Sequence, residues 1–130
     1  MNLKLLLFIH ALVTFAAGIV LVITPSFIPS SVNIHINSAE YLLCYFLAAA
    51  EFAMAYLSFR SRKISDTAAL RVISISFIVF HASTLILELF ALSQGLSVKI
   101  ISNVIVRIFI VILFYFYGVA PFKQNSKNNA

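Results

Sequence analysis

Polar positions interrupt this chain only in short bursts. Between them run four apolar stretches, Leu5–Ile23, Tyr41–Phe59, Leu70–Leu92 and Ile100–Ala120. Each holds about 19–23 residues, or roughly 28–34 Å at helical rise, which matches the thickness of a hydrocarbon core. Membrane-spanning strands would need only about 9–11 residues and would alternate polar with apolar, which these stretches do not. The pattern predicts an all-α integral membrane protein, an up-down-up-down four-helix bundle over residues 1–122, with helices at about 3–24, 39–60, 67–93 and 98–121. The first stretch has the basic start (Lys4) and small residues (Ala16, Ala17, Gly18) of a signal peptide. Its apolar run continues to Ile23, longer than an ordinary signal core of about 7–15 residues, and is read as a retained helix.

The punctuation between the stretches agrees. Pro25 and Pro29 end the first helix and shape the loop after it, because proline cannot donate to the helical ladder. Asn37 and Glu40 have the N-cap and N3 spacing of a capping box at the start of the second helix. Asp66 or Ser65 can cap the third, Gly95 stops it, and Pro121 follows the fourth. The last residues, 123–130, are Lys, Asn, Gln and Ser with few apolar groups, the composition of a disordered tail. Short loops imply that consecutive helices lie side by side and antiparallel. Ala17 and Gly18 on the first helix and Ala48, Ala49, Ala50, Ala53 and Ala55 on the second would permit close approach.

Composition strengthens this picture: hydrophobic residues make up 62% of the chain and charged ones 10%, too few to cover a soluble surface. The net charge of +5 sits in loops and tails, which fits membrane orientation and anionic headgroups and not nucleic acid. Lys4, Arg60, Arg62, Lys63, Arg71, Lys123 and Lys127 fall on one side of a four-crossing chain, against Lys99 on the other. The positive-inside rule then places both termini and the Arg60–Arg71 loop in the cytoplasm. Tyr41 and Tyr45 towards one end, and Tyr56, Tyr115 and Tyr117 towards the other, suit interfacial belts. The single cysteine, Cys44, excludes an intrachain disulfide and reads as a small packing residue.

Five ionisable residues lie within the apolar spans: His10, Glu51, His81, Glu88 and Arg107. Arginine near a helix centre costs about 2.5–3.5 kcal/mol on insertion scales, so such groups face the bundle and find partners. Helical spacing gives each helix an inward stripe: His10, Thr14, Ala17 and Gly18; Cys44, Ala48, Glu51 and Ala55; Ser74, His81 and Glu88 with Thr84 alongside; Asn103 and Arg107. Counted from one boundary, Glu51 lies at about 12 Å, His81 at about 16 Å, Arg107 at about 18 Å and His10 at about 9 Å. Glu51 and Arg107 are then within reach of each other, with His81 able to join and His10 nearby. These four form the candidate polar core pocket, either as a structural ion pair fixing register or as a site for a proton, quinone, lipid or small ligand. His10 alone reads more simply as a packing histidine. Glu88 is expected to pair with Lys99 at the interface, and His35 to be solvated in a loop.

The order of features resembles the DoxX-like group of small four-helix bacterial membrane proteins. The resemblance rests on a first helix ending in a proline loop (IVLVITPSFIPSSV), a small-residue second helix with an acidic residue (YLLCYFLAAAEFAMAYLSFRSRK), an Arg-led third helix with a central His (ALRVISISFIVFHASTLILELFAL) and an aromatic end to the fourth (FYFYG). It spans about residues 3–120, with alanines where the group commonly has glycines in the second helix. It implies a bacterial inner-membrane protein, linked in some members to redox or quinone-associated partners, and carries over no catalytic residue.

The leading functional expectation is a non-enzymatic component of a membrane assembly, contacting lipid and either protein partners or further copies of itself. Its rivals are a small proton-coupled transporter using Glu51, and a membrane isomerase or oxidoreductase using Glu51 and His81 as acid and base. Small multidrug exporters are of comparable size but place their acid in the first helix and have weak charge bias, which argues against an antiparallel dimer here. Quinone and b-type haem are the cofactors such a core would admit. For haem, His10 and His81 differ in counted depth by about 7 Å, and no CxxCH attachment motif is present.

Overall fold

The computed structural model describes residues 2–95 and 97–121. Helix α1 spans Leu3–Ile23, and a single short turn, α2, covers Phe27–Ser31. A 3-10 turn at Ser38–Glu40 leads into α3 (Tyr41–Ser61). The third long helix is α4 (Thr67–Ser93), and α5 (Ile100–Phe114) continues into a π-helical turn at Tyr115–Val119. Four helices are long and apolar enough to cross a membrane, so the chain is an all-α four-helix membrane bundle. The tail expected at 123–130, with Lys123 and Lys127, lies outside the described residues.

Four of the helix boundaries have a local chemical cause. The Asn2 side chain accepts from the Leu5 amide at 2.9 Å and opens α1, satisfying one of the donors a helix start leaves orphaned. The capping box at Asn37 and Glu40 is present: Ala39 N donates to Asn37 Oδ1 (3.0 Å) and Asn37 N to Glu40 Oε2 (2.8 Å). Of the two candidate caps of α4, Asp66 does the work, accepting from Ala68 N at 2.8 Å. Gly95 follows α4 with φ +84°, the left-handed turn that glycine adopts without steric cost.

The helices associate as two antiparallel pairs, α1 with α3 and α4 with α5. The expectation that all consecutive helices are neighbours therefore fails once: the backbones of α3 and α4 scarcely approach. Side-chain size explains the difference. On α1 and α3 the buried stripe is Thr14, Gly18 and Leu21 against Cys44, Ala48 and Ala55, so these backbones come close. A Cβ added to Gly18 would stand 2.6 Å from Phe52 Cε1. Of the alanines expected to mark this contact, Ala48 and Ala55 are buried while Ala49 and Ala53 face outward. On the other pair, a Cβ on Gly118 would land on the Ser74 side chain, which places the π turn hard against α4.

The two pairs meet through large side chains. Leu6, Leu7, Phe77 and Phe114 form a buried cluster, with Met54 of α3 packed against it. Two smaller clusters, Leu21–Cys44–Ala48 and Val32–Ile100–Val104, close the opposite end. The outward faces remain apolar, with Leu43, Val79 and Phe109 each more than half exposed, as lipid-facing positions require. Lys4, Arg60, Arg62, Lys63 and Arg71 gather at the end where α1 and α4 begin and α3 finishes, hereafter the basic end.

Candidate functional site

The interior between the two helix pairs holds a line of polar side chains drawn from all four long helices. It begins with Ser58, on α3 near the basic end, whose Oγ lies 2.7 Å from His10 Nδ1. His10 Nε2 lies 2.9 Å from His81 Nε2. On its far side, His81 Nδ1 faces Arg107 Nη1 at 3.4 Å. Arg107 Nε donates to Glu88 Oε1 at 2.9 Å, an ion pair whose side chains are 22% and 16% exposed. Ser58, His10 and His81 are buried, and the second Glu88 oxygen is buried without a hydrogen-bond partner among the described residues.

Donor chemistry fixes the direction of this line. A guanidinium only donates, so His81 Nδ1 accepts from Arg107 and carries no proton. The neutral His81 ring is then protonated on Nε2 and donates to His10 Nε2. His10 in turn carries its proton on Nδ1 and donates to Ser58 Oγ. One assignment satisfies every nitrogen, and in it all the hydrogen bonds from Arg107 to Ser58 run the same way.

Aromatic rings encase the histidine pair. The His10 ring centroid is 4.8 Å from Phe77 and 5.2 Å from Phe114, and the His10 and His81 rings meet edge to face at 5.2 Å. In this low-dielectric casing a hydrogen bond is stronger than in water, and an unpaired polar group costs more.

The candidates read from the sequence are brought together, with changed partners. His10, His81 and Arg107 are consecutive members of the line. Glu51 is half-buried on α3, within electrostatic reach of Arg107, but the only ion pair among the described residues is Arg107–Glu88. The expected Glu51–Arg107 pair is therefore replaced: Glu88 is on the helix packed directly against α5, nineteen residues from Arg107, whereas α3 is not paired with α5. Lys99, expected beside Glu88, instead donates to Asn33 Oδ1 at 3.0 Å. His10 is not an isolated packing histidine, and the depth difference counted between it and His81 does not hold. Helix α4 has 27 residues, about 40 Å at helical rise, more than a membrane core needs, so a depth counted from the start of its apolar stretch at Leu70 does not share a zero with one counted along α1. Ser58, Phe77 and Phe114 escaped the sequence reading. Ser58 was within reach of it, since it extends the Glu51–Ala55 stripe by one further turn.

The histidine pair does not fit a bis-histidine haem in this arrangement. Two metal–nitrogen bonds of about 2.0–2.1 Å, the lengths usual for a histidine-bound metal, would hold the nitrogens about 4 Å apart, and the two Nε2 atoms are in direct hydrogen-bond contact. Among the described residues no three His, Cys, Asp or Glu side chains are grouped to hold a metal ion. Comparison of the chain with known protein families, with characterised proteins and with solved structures finds no match.

Proposed function

We propose that this chain is a small non-enzymatic membrane component whose polar core holds a proton and passes it between the histidine pair and the basic end. The observation that carries the reading is the directional line Arg107–His81–His10–Ser58. Imidazoles joined nitrogen to nitrogen can accept a proton at one edge and release one at the other. Arginine cannot take part in such a relay, because it does not deprotonate in proteins. Arg107 therefore stands as a plug on the far side of the pair, much as an arginine excludes protons in selective water pores. Of the two unprotonated ring nitrogens, His10 Nε2 is held between the rings and His81 Nδ1 accepts from Arg107, so a further proton enters at His81 Nδ1 and there meets the guanidinium. Loading the pair thus requires Arg107 to withdraw, with Glu88 and the nearby Glu51 as the carboxylates available to it. Proton uptake and arginine position become a single event.

The positive-inside rule puts the basic end in the cytoplasm, so a proton released from His10 Nδ1 past Ser58 would leave on the cytoplasmic side. The resemblance to DoxX-like proteins agrees with a bacterial inner-membrane setting, with partner proteins or further copies as the things to which the switch is coupled. A small proton-coupled transporter is the second reading, favoured by Glu51, a half-buried carboxylate mid-helix with no ion-pair partner among the described residues. Glu51→Gln should then abolish coupled flux in proteoliposomes while leaving insertion intact, and unchanged flux would remove Glu51 from that role. An isomerase or oxidoreductase is supported least, because His81 is buried and both of its ring nitrogens are engaged, by His10 and by Arg107, which leaves neither to face a substrate.

The test is proton permeability of liposomes holding the purified protein and an internal pH dye. Wild type should keep an imposed gradient, Arg107→Gln should dissipate it, and adding His81→Ala to that variant should restore tightness. Equal permeability in all three, or a leak that survives loss of His81, would reject the relay.

A further inference from the structure

The α1–α3 pair carries a second feature on its outer face, independent of the polar line. Ala11 and Ala55 form the floor of a groove of about 370 Å³, walled by Phe15, Phe52, Tyr56 and Phe59. The floor is low because both floor residues are alanine. The Phe15 and Phe52 rings, 5.7 Å apart, lie at the mid-membrane end of the groove. From Phe52 to Phe59 it runs about 10 Å along the helix, towards the basic end. One helical turn beyond, on the same faces, stand Phe8 and Arg62. The Arg62 guanidinium carbon lies 4.4 Å from the Phe8 ring centroid and 5.3 Å from that of Phe59.

The electrostatics at that end are one-sided. Arg62 Nε is buried, and among the described residues it has no hydrogen-bond partner and no carboxylate pairs with the guanidinium. Exposed Arg60 and Lys63 flank it. The only acidic side chain in the Arg60–Arg71 segment, Asp66, is engaged in capping α4. An apolar groove opening onto a cation fixed between two aromatic rings matches a molecule with an apolar chain and an anionic head. Arginine held in this way is suited to phosphate, to which its planar fork binds through two donors.

We propose that the α1–α3 groove binds one anionic phospholipid, with an acyl chain along Ala11 and Ala55 and the phosphate on Arg62. A zwitterionic lipid would fill the groove but bring its own cation to an end already crowded with positive charge. Binding ties the lipid to the helix pair that carries His10 and Ser58.

Native mass spectrometry of the protein released from mixed micelles of dioleoylphosphatidylglycerol and dioleoylphosphatidylcholine tests this. Wild type should retain one phosphatidylglycerol in preference to phosphatidylcholine. Arg62→Ala should lower that retention about fivefold, the factor one basic residue contributes at an anionic surface. Arg60→Ala, off the groove axis, should change it little. Leu12→Trp, at an exposed position on the groove wall, should reduce retention without disturbing the helical circular dichroism. Equal losses in Arg62→Ala and Arg60→Ala would mean diffuse attraction and overturn the site. So would unchanged retention in Leu12→Trp, or a wild-type dimer with no bound lipid that Leu12→Trp dissociates, which would make a second copy the occupant.

Discussion

Truncating Glu88 asks how much of the polar line depends on its ion pair. In Glu88→Ala, Arg107 keeps the 3.4 Å contact to His81, and its charge loses the one ion-pair partner it has among the described residues. Exposed pairs contribute about 0–1 kcal/mol, and breaking a fully buried one costs about 3–5 kcal/mol. With side chains 22% and 16% exposed, this pair belongs nearer the buried limit, so each of Glu88→Ala and Arg107→Ala should lose about 2–4 kcal/mol. Snorkelling of the arginine and protonation of the carboxylate soften the figure in a membrane. The double variant should lose less than the sum by about 1–2 kcal/mol, inside the range seen for residues in contact. The assay is SDS-driven unfolding from dodecylmaltoside micelles, followed by far-ultraviolet circular dichroism, for both singles and the double. The same cycle with Glu51→Ala in place of Glu88→Ala should show a smaller coupling, because no ion pair joins Glu51 to Arg107. Additivity of Glu88 with Arg107, or a larger coupling to Glu51, would refute the assignment of the pair.

Two further outcomes follow from packing and topology. Gly118→Ala should destabilise the bundle by about 1–3 kcal/mol through overpacking, since the new methyl falls on Ser74. Adding Ser74→Gly should recover part of that loss, and unfolding curves that show no recovery would separate the π turn from this contact. Reporter fusions at Ser61 and Gln94 should read on opposite sides of the membrane, Ser61 on the cytoplasmic one; a shared side would contradict a crossing by α4.

Which parts were legible in the sequence follows from which forces are local. Helix spans, the Asn37–Glu40 box, the Asp66 cap and the Gly95 stop depend on neighbours within a turn, and the residue pattern exposes them directly. The inward stripes were equally legible, because 3.6-residue spacing puts Cys44, Ala48, Glu51 and Ala55 on one face whatever the neighbour is. The choice of partner across helices was not. Glu51 and Glu88 both lie in apolar helices, and only the pairing of α4 with α5 decides which carboxylate Arg107 reaches. The nitrogen-to-nitrogen contact of His10 and His81 depends on relative helix position to within an ångström or so, which counted rise cannot supply for a 27-residue helix. The π turn at Tyr115–Val119 leaves no pattern of its own, although Gly118 facing Ser74 shows in retrospect why the backbone comes so near there.

The claim on which the functional reading stands is that one shared hydrogen bond joins the two histidines, with opposite tautomers on either side. Solid-state nitrogen-15 NMR of histidine- and arginine-labelled protein in lipid bilayers measures it directly. At neutral pH the account predicts His10 protonated on Nδ1 and His81 on Nε2, with coupling across the Nε2–Nε2 hydrogen bond. On acidification a single proton should enter at His81 Nδ1, and the Arg107 side-chain resonances should move with it. Identical tautomers on the two rings, which would place either two protons or none between them, or an Arg107 signal indifferent to the titration, would contradict the account.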